Sequence, residues 1–277
     1  MRRILNYPGS KWTMANWIAS LMPPHKTYLE PFFGSGAVFF NKPRSHVETL
    51  NDIDSRIVNL FKVCRDQPKE LMRAVNLTPL SREEYEDSYE TSPDPIEDAR
   101  RTLVRSWQAI GGKTSDRTGW RSLIEPNGKT AAEWGNLSGR IIEVAKRLKD
   151  AQIEQQDAIT LLERYNRPSV LTYVDPPYLL STRSKRHYAH EYTDADHEAL
   201  LDTLLDFKGS VILSGYESDM YNQMLHGWDK AHFEVSVETG GRAVETVWTN
   251  FPIPDQLRES WQLDLFQEVP HEAKRSV

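Results

Sequence analysis

The chain has 277 residues, 39% of them hydrophobic, a formal net charge of −6 and one cysteine, Cys64. That length can bury the core of one large α/β domain, or of a domain carrying an insertion. A lone cysteine excludes an internal disulfide framework and a multi-cysteine zinc site. No apolar run approaches a membrane span or a signal-peptide core, so a cytoplasmic protein is expected.

From the amino end, Tyr7-Pro8-Gly9-Ser10-Lys11 precedes a helix read over 13–21. It is either a simple Pro-Gly turn with a helix cap, or an element in which Lys11 closes over the methionine carboxylate of S-adenosylmethionine with Tyr7 packed nearby. A strand over 27–30 runs into Glu30-Pro31-Phe32-Phe33-Gly34-Ser35-Gly36 and a helix over 37–41. Glycines in such a strand-turn-helix unit let the backbone approach a nucleoside closely. A third fingerprint glycine would fall at Phe39, so a nicotinamide or flavin dinucleotide is disfavoured. The second strand, 47–50, ends in Asn51-Asp52-Ile53-Asp54, where the Asp52 carboxylate can accept both hydroxyls of a ribose, and a helix follows over 55–65. An adenosine-type ligand fits this pair of strand ends; an ordinary βα turn with an Asp cap is the plainer reading.

About 100 residues separate the second strand from the third, too many for a βα connection. Residues 65–145 therefore read as a mostly helical subdomain grafted onto an open parallel sheet. Charge is segregated within it. Residues 83–98 hold Glu83, Glu84, Glu86, Asp87, Glu90, Asp94, Glu97 and Asp98 with no base, and the stretch from 99 to 149 is rich in Lys and Arg. Local surfaces, not the net charge, decide whether a polyanion binds. Beyond a helix over 139–149 come strands at 152–155 and 170–174, a helix over 194–206 capped by Thr193 or Asp194, and a strand at 210–213. Late strands at 231–237 and 245–250 are joined by Thr239-Gly240-Gly241, a hairpin signal. From Pro252 onward the pattern lapses into an exposed tail.

The strand at 170–174 delivers Asp175-Pro176-Pro177-Tyr178. Two prolines stiffen this corner and remove two backbone donors, so it presents carbonyl oxygens, a carboxylate and an aromatic ring. That surface suits an exocyclic amine, with Asp175 and the Pro176 carbonyl as acceptors and Tyr178 as a stacking face. A Pro-Pro turn with Asp as turn former has the same sequence. Arg183, Lys185 and Arg186 follow, flanked by His187, Tyr188 and His190.

In order, Tyr7 to Lys11, Glu30 to Gly36, Asn51-Asp52-Ile53, Asp175 to Tyr178 and Leu213-Ser214-Gly215-Tyr216 resemble the Dam-like (D12 class) DNA adenine-N6 methyltransferases. Residues 242 to 250 also resemble that family's closing strand. The resemblance implies a Rossmann-like α/β fold of the S-adenosylmethionine-dependent methyltransferases, with a mostly parallel sheet and an antiparallel last strand. It divides the chain into a catalytic domain (1–64 and 146–251), an inserted target-recognition subdomain (65–145) and a tail (252–277). It also implies S-adenosylmethionine held by Tyr7, Lys11, Asp52 and Asp157, together with the Glu30, Pro31, Phe32, Gly34, Ser35, Gly36, Ile53 and Asp175 surroundings. The target adenine would be extruded from double-stranded DNA and gripped by Asp175, Pro176, Pro177 and Tyr178, without a metal. Arg183, Lys185 and Arg186 are candidate phosphate contacts, and Arg105, Lys113, Arg117 and Arg121 are candidate DNA contacts on the insertion. The stretch from Ser106 to Gly112 and on to Trp134 does not repeat the target-reading sequence of family members acting on GATC, so no recognition sequence is implied.

In the tail, Gln262-Leu263-Asp264-Leu265-Phe266 resembles the short peptide by which bacterial proteins dock on the β sliding clamp. The alternative is that its apolar residues fold back on the protein itself. Other readings of the whole chain are a cytosine-N4 or RNA adenine methyltransferase, which would present an amine to the same loop, and a catalytically silent DNA-binding protein.

Overall fold

The computed structural model describes residues 1–111, 116–122, 130–179, 190–236 and 242–258. Among them seven strands form one sheet: β1 (Thr27–Glu30), β2 (Val47–Asn51), β3 (Gln152–Glu154), β4 (Val170–Val174), β5 (Ser210–Gly215), β6 (Asp229–Ser236) and β7 (Arg242–Thr249). Their order is β3-β2-β1-β4-β5-β7-β6. β3, β2, β1, β4 and β5 pair in parallel, while β7 runs antiparallel to both β5 and β6. This is the mostly parallel α/β sheet with a reversed final strand that the resemblance implies.

β4 is buried at every position and apolar apart from Thr172, as suits a strand covered on both faces. In β1 the two faces separate by alternation. Tyr28 joins a cluster with Phe39, Phe61 and Trp107, and Leu29 joins one with Leu161, Leu200, Val211 and Trp248. Chain order reverses between β1 and β4, which lie side by side, and a crevice opens beyond the carboxyl ends of strands at such a point.

Twelve helices accompany the sheet among the described residues: α1 (Ala15–Ser20), α2 (Ala37–Asn41), α3 (Ser55–Asp66), α4 (Pro68–Asn76), α5 (Arg82–Asp87), α6 (Pro95–Gln108), α7 (Thr130–Gly135), α8 (Leu137–Leu148), α9 (Ala158–Tyr165), α10 (Asp194–Leu205), α11 (Asp219–Met224) and α12 (Asp255–Arg258). Their starts follow local chemistry. Asp54 accepts the Arg56 N–H at 2.9 Å to cap α3, Asp94 caps α6 with Pro95 in its first turn, and Thr193 with Asp196 forms a reciprocal capping box on α10. No helix among the described residues is long and apolar enough to cross a membrane.

Residues 65–145 are mainly helical where described, and the apolar faces of those helices share the core of the sheet. Leu71, Leu103, Trp107, Trp134 and Ile141 lie in the cluster that holds Tyr28 and Phe61. Trp107 Nε1 donates to the Ile4 carbonyl at 2.6 Å. α8 is fastened to β2 by a buried ion triad: Arg147 donates to Glu48 at 2.5 and 2.8 Å, and Lys42 reaches Glu48 Oε1 at 2.5 Å. An isolated bridge between Ala109 and Trp120, not foreseen from the sequence, marks a small antiparallel ribbon after α6.

Of residues 252–258, where the sequence reading begins an exposed tail, Ile253 is 2% exposed and Arg258 pairs with Asp229, while Pro252, Pro254, Asp255 and Gln256 are exposed. The hairpin signal Thr239-Gly240-Gly241 and the clamp-like peptide at 262–266 lie outside the described residues.

Candidate active site

The cleft beyond β1, β2 and β4 is lined by Tyr7, Lys11, Glu30, Phe32, Gly34, Ser35, Asp52, Ile53, Asp54, Asp175, Pro177 and Tyr192, among others. Its floor is the turn after β1. Gly34 and Gly36 have φ of +49° and +66°, a left-handed conformation that side chains resist. Tyr7 lies directly on Gly34, where an added Cβ would sit 3.0 Å from its ring. Ser10 and Ser35 hydroxyls share a 2.6 Å hydrogen bond, so the amino-terminal loop is tied to the turn.

Four acids border this floor. Glu30, 2% exposed, accepts from the Tyr28 hydroxyl at 2.6 Å; burial pushes its carboxyl up to about 8, and the nearby Asp175 charge adds to that push. Asp52 accepts the Gly34 N–H at 2.8 Å and the Asp54 N–H at 2.9 Å, so its first task is to fix the glycine turn against β2. Burial raises its carboxyl to about 6, opposed by those two backbone donors. Asn51 closes the rim: its amide donates to the Pro31 and Gln156 carbonyls at 2.9 and 3.0 Å and accepts the Gln156 N–H at 2.9 Å.

Asp175 stands at the end of β4 with about a fifth of its side chain exposed. Lys11 Nζ donates to both its oxygens, at 2.8 and 2.9 Å, and Ser214 on β5 donates to Oδ1 at 3.0 Å. Burial pushes the Asp175 carboxyl up, and Lys11 pulls it back down. The same ammonium donates to the Gly9 carbonyl at 2.8 Å and to the Tyr178 hydroxyl, and lies 3.6 Å from Glu245 on β7. Tyr178 in turn donates to Glu245 at 2.5 Å.

Most of the residues expected around a cofactor are therefore gathered, with differences in detail. Lys11, expected to close over a methionine carboxylate, is engaged with Asp175, and an incoming carboxylate would have to displace that pair. Tyr178, expected to offer a stacking face, is 7% exposed, with its ring edge-on to Tyr216 at 4.6 Å and its hydroxyl engaged. Asp157 is exposed and caps α9, accepting the Thr160 N–H at 2.9 Å, and it is not among the residues lining the cleft. Pro31 and Pro176 are buried and are not among the residues lining the cleft.

Sequence reasoning missed Glu245 and Tyr192. Tyr192 packs edge-on to Phe32 at 5.5 Å. An acid inside a late apolar strand was a signal for the first; the second carried none. Of the expected DNA contacts, Arg105 and Arg117 lie over the Tyr89 ring at 4.6 and 4.8 Å, and Arg82, not expected, lies over Trp120 at 4.9 Å. Arg121 follows the ribbon, its N–H donating to the Gln108 carbonyl at 2.7 Å. Lys113, Arg183, Lys185 and Arg186 lie outside the described residues. Among the described residues no three His, Cys, Asp or Glu side chains are grouped to hold a metal ion.

Among solved structures, an S-adenosylmethionine-dependent methyltransferase from Agrobacterium tumefaciens aligns over 86% of this chain and 59% of its own, with a TM-score of 0.37 and 9% identity. An rRNA methylase from Streptococcus thermophilus aligns over 86% and 94%, with a TM-score of 0.34 and 9% identity. The Type II methyltransferase M1.LlaDCHI of Lactococcus lactis subsp. cremoris is 23% identical over 274 residues, covering 91% of this chain and 96% of the relative. A family model for D12 class N6 adenine-specific DNA methyltransferases matches residues 7–238. A match of that extent runs through the cleft and through the helices between β2 and β3 alike, and the chain belongs to the D12 class of N6 adenine-specific DNA methyltransferases.

Proposed function

We propose that this protein is a site-specific DNA methyltransferase that extrudes an adenine from the duplex and methylates its N6. The observation that carries the reading is the Asp175 carboxylate, stiffened by Pro176 and Pro177 and facing the glycine-turn cleft between β1 and β4. The cleft fits the adenosyl donor of this family on its own terms. Gly34 lines it with bare backbone beneath Tyr7, Ile53 is 46% exposed as an apolar wall, and Asp52 and Asp54 border it at the end of β2. Tyr7, Glu30, Gly34, Ser35, Asp52 and Ile53 would hold the donor. S-adenosylmethionine, when bound, supplies an electrophilic methyl on a sulfonium.

The chain's own residues do the rest. The N6 lone pair of adenine is delocalised into the ring and is a poor nucleophile. Asp175 and the Pro176 carbonyl accept the two amine hydrogens, which favours a pyramidal nitrogen with its lone pair turned toward the methyl carbon. As the N–C bond forms and the S–C pair leaves to sulfur, positive charge grows on nitrogen. The Asp175 carboxylate stabilises it and the surplus proton departs to solvent. Extrusion costs a few kcal/mol of stacking, offset by contacts to the freed base and by basic residues on flanking phosphates.

Expression in a host lacking adenine methylation, followed by sequencing that detects modified bases, tests the assignment. N6-methyladenine in one sequence context is the expected result; N4-methylcytosine, or modification of RNA alone, would replace the reading. Asp175→Ala should lower kcat on the order of 10²-fold or more with donor binding kept. Near-native turnover in that variant removes Asp175 from the mechanism. The tail peptide at 262–266 is proposed to dock on a β sliding clamp, and a calorimetric titration of the full chain with purified clamp decides that point.

A further inference from the structure

A buried carboxylate on an apolar strand is costly unless it is paired. Glu245 sits on β7 near Val247 and Trp248, 4% exposed, and faces the Lys11 ammonium and the Tyr178 hydroxyl. Nothing in the methyl-transfer scheme above uses it. Its position nonetheless bears on Asp175, because Lys11 is shared between the two acids.

The electrostatics of the cluster show the difficulty that Glu245 resolves. Lys11 chelates both oxygens of Asp175 at 2.8 and 2.9 Å. An ammonium and one carboxylate so placed form a neutral pair, which is poor at stabilising positive charge growing on a nearby amine. In a site with little water that deficit is large. A second carboxylate 3.6 Å from the same ammonium restores one net negative charge to the group. Glu245 is also joined to the loop itself. Lys11 donates to Tyr178 and Tyr178 to Glu245, so the loop that begins at Asp175 is pinned at its far end to β7.

We propose that Glu245 is a positioning residue for methyl transfer, sharing the Lys11 ammonium with Asp175 so that the Asp175 carboxylate keeps the net charge and the lone pair needed to accept the target amine. The proposal rests on the methyl-transfer reading above. No covalent bond to Glu245 forms or breaks; the ammonium shifts its hydrogen bonds from Asp175 toward Glu245 as the amine arrives.

Glu245→Gln removes the charge while keeping an oxygen for the Tyr178 hydroxyl, and Tyr178→Phe removes the bridge while keeping both charges. Single-turnover kinetics on duplex DNA, donor binding by calorimetry and thermal melting are measured for both variants and for their double. The expected result is a fall in kcat of about ten-fold or more in E245Q, with donor affinity and melting close to wild type. Because one ammonium transmits both effects, the double should lose at most about two-fold beyond the worse single. An E245Q enzyme within about two-fold of wild-type kcat overturns the proposal. So do losses that multiply in the double, or a joint loss of kcat, donor binding and melting temperature in E245Q and Y178F, which would make Glu245 a fold residue. If wild-type protein makes no N6-methyladenine, the reading of the reaction fails; if it does and E245Q is as fast, only the role of Glu245 fails.

Discussion

Glu30 is an acid whose environment departs far from water. Its carboxyl titrates near 8 because burial at the end of β1 disfavours charge more than the Tyr28 hydroxyl favours it. Between about pH 5 and 8 the native chain keeps a proton at Glu30 that the unfolded chain has released. Unfolding in that window therefore releases protons, and stability falls as pH rises, with no further loss from this group above its native value. Asp52, raised to about 6, adds to the lower half of the same slope. Glu30→Gln should remove a penalty on the order of 5 kcal/mol at pH 9 and little at pH 4. Urea melts of the two proteins across that range check it; parallel pH profiles would show that Glu30 is ionised in the native state. Donor binding should in turn release protons, because a sulfonium favours the ionised acid, and calorimetry in buffers of different ionisation enthalpy reads that directly. At this scale the sequence was informative about Asp175, since two prolines after an apolar run leave few readings. For Glu245 it left one weak signal, an acid inside a late apolar strand, which is easily passed over because such an acid ordinarily faces solvent.

The elements were legible where periodicity was clean. β1, β4 and α2 carry the bounds expected of them, and β2, β3, β5, α3, α8 and α10 differ by a residue or two at an end, where pairing and fraying decide. Three features were hidden for stated reasons. The buried Ile253 lies between Pro252 and Pro254, and α12 follows them, where two prolines read as the end of regular patterning. The bridge between Ala109 and Trp120 is one ladder rung, too short to leave a pattern. The sharing of one core by α4, α6 and α8 with the sheet depends on which apolar faces meet, which spacing does not reveal. The turn after β1 combines a tight steric requirement with a left-handed backbone. At Gly36 an added Cβ would lie 2.4 Å from the Phe33 ring and 2.7 Å from Phe40, on a backbone already at positive φ. Gly36→Ala should cost about 2 kcal/mol or more of stability and weaken donor binding, as thermal melting and calorimetry would read. An unchanged melting temperature would mean that Phe33 and Phe40 yield easily.

Over the whole molecule a net charge of −6 makes the average surface repel DNA, so attraction must come from local groups of bases. The ribbon after α6 is proposed to supply one such group. Tyr85 and Tyr89 hold it through the Thr118 backbone while Arg105 and Arg117 cover the Tyr89 ring. The loop after Tyr178, with Arg183, Lys185 and Arg186, is expected to supply the other. Replacing those three together by Ala should weaken binding to every duplex alike and reduce the slope of log K against log salt by about 2 to 3. Fluorescence anisotropy over a salt series measures this, and an unchanged slope would mean that the loop touches no phosphate.

The reversed direction of β7 has a consequence in time as well as in space. Because that strand runs back along β5, a residue from near the end of the chain arrives at the same rim as Lys11 from near its beginning. A polypeptide emerging from the ribosome thus has its glycine turn and its Asp-Pro-Pro-Tyr corner long before the second acid reaches them. Until the last strand is inserted, the early lysine has one carboxylate to answer to, and a nascent or clipped protein lacking that strand would hold the pieces of the site without its charge balance.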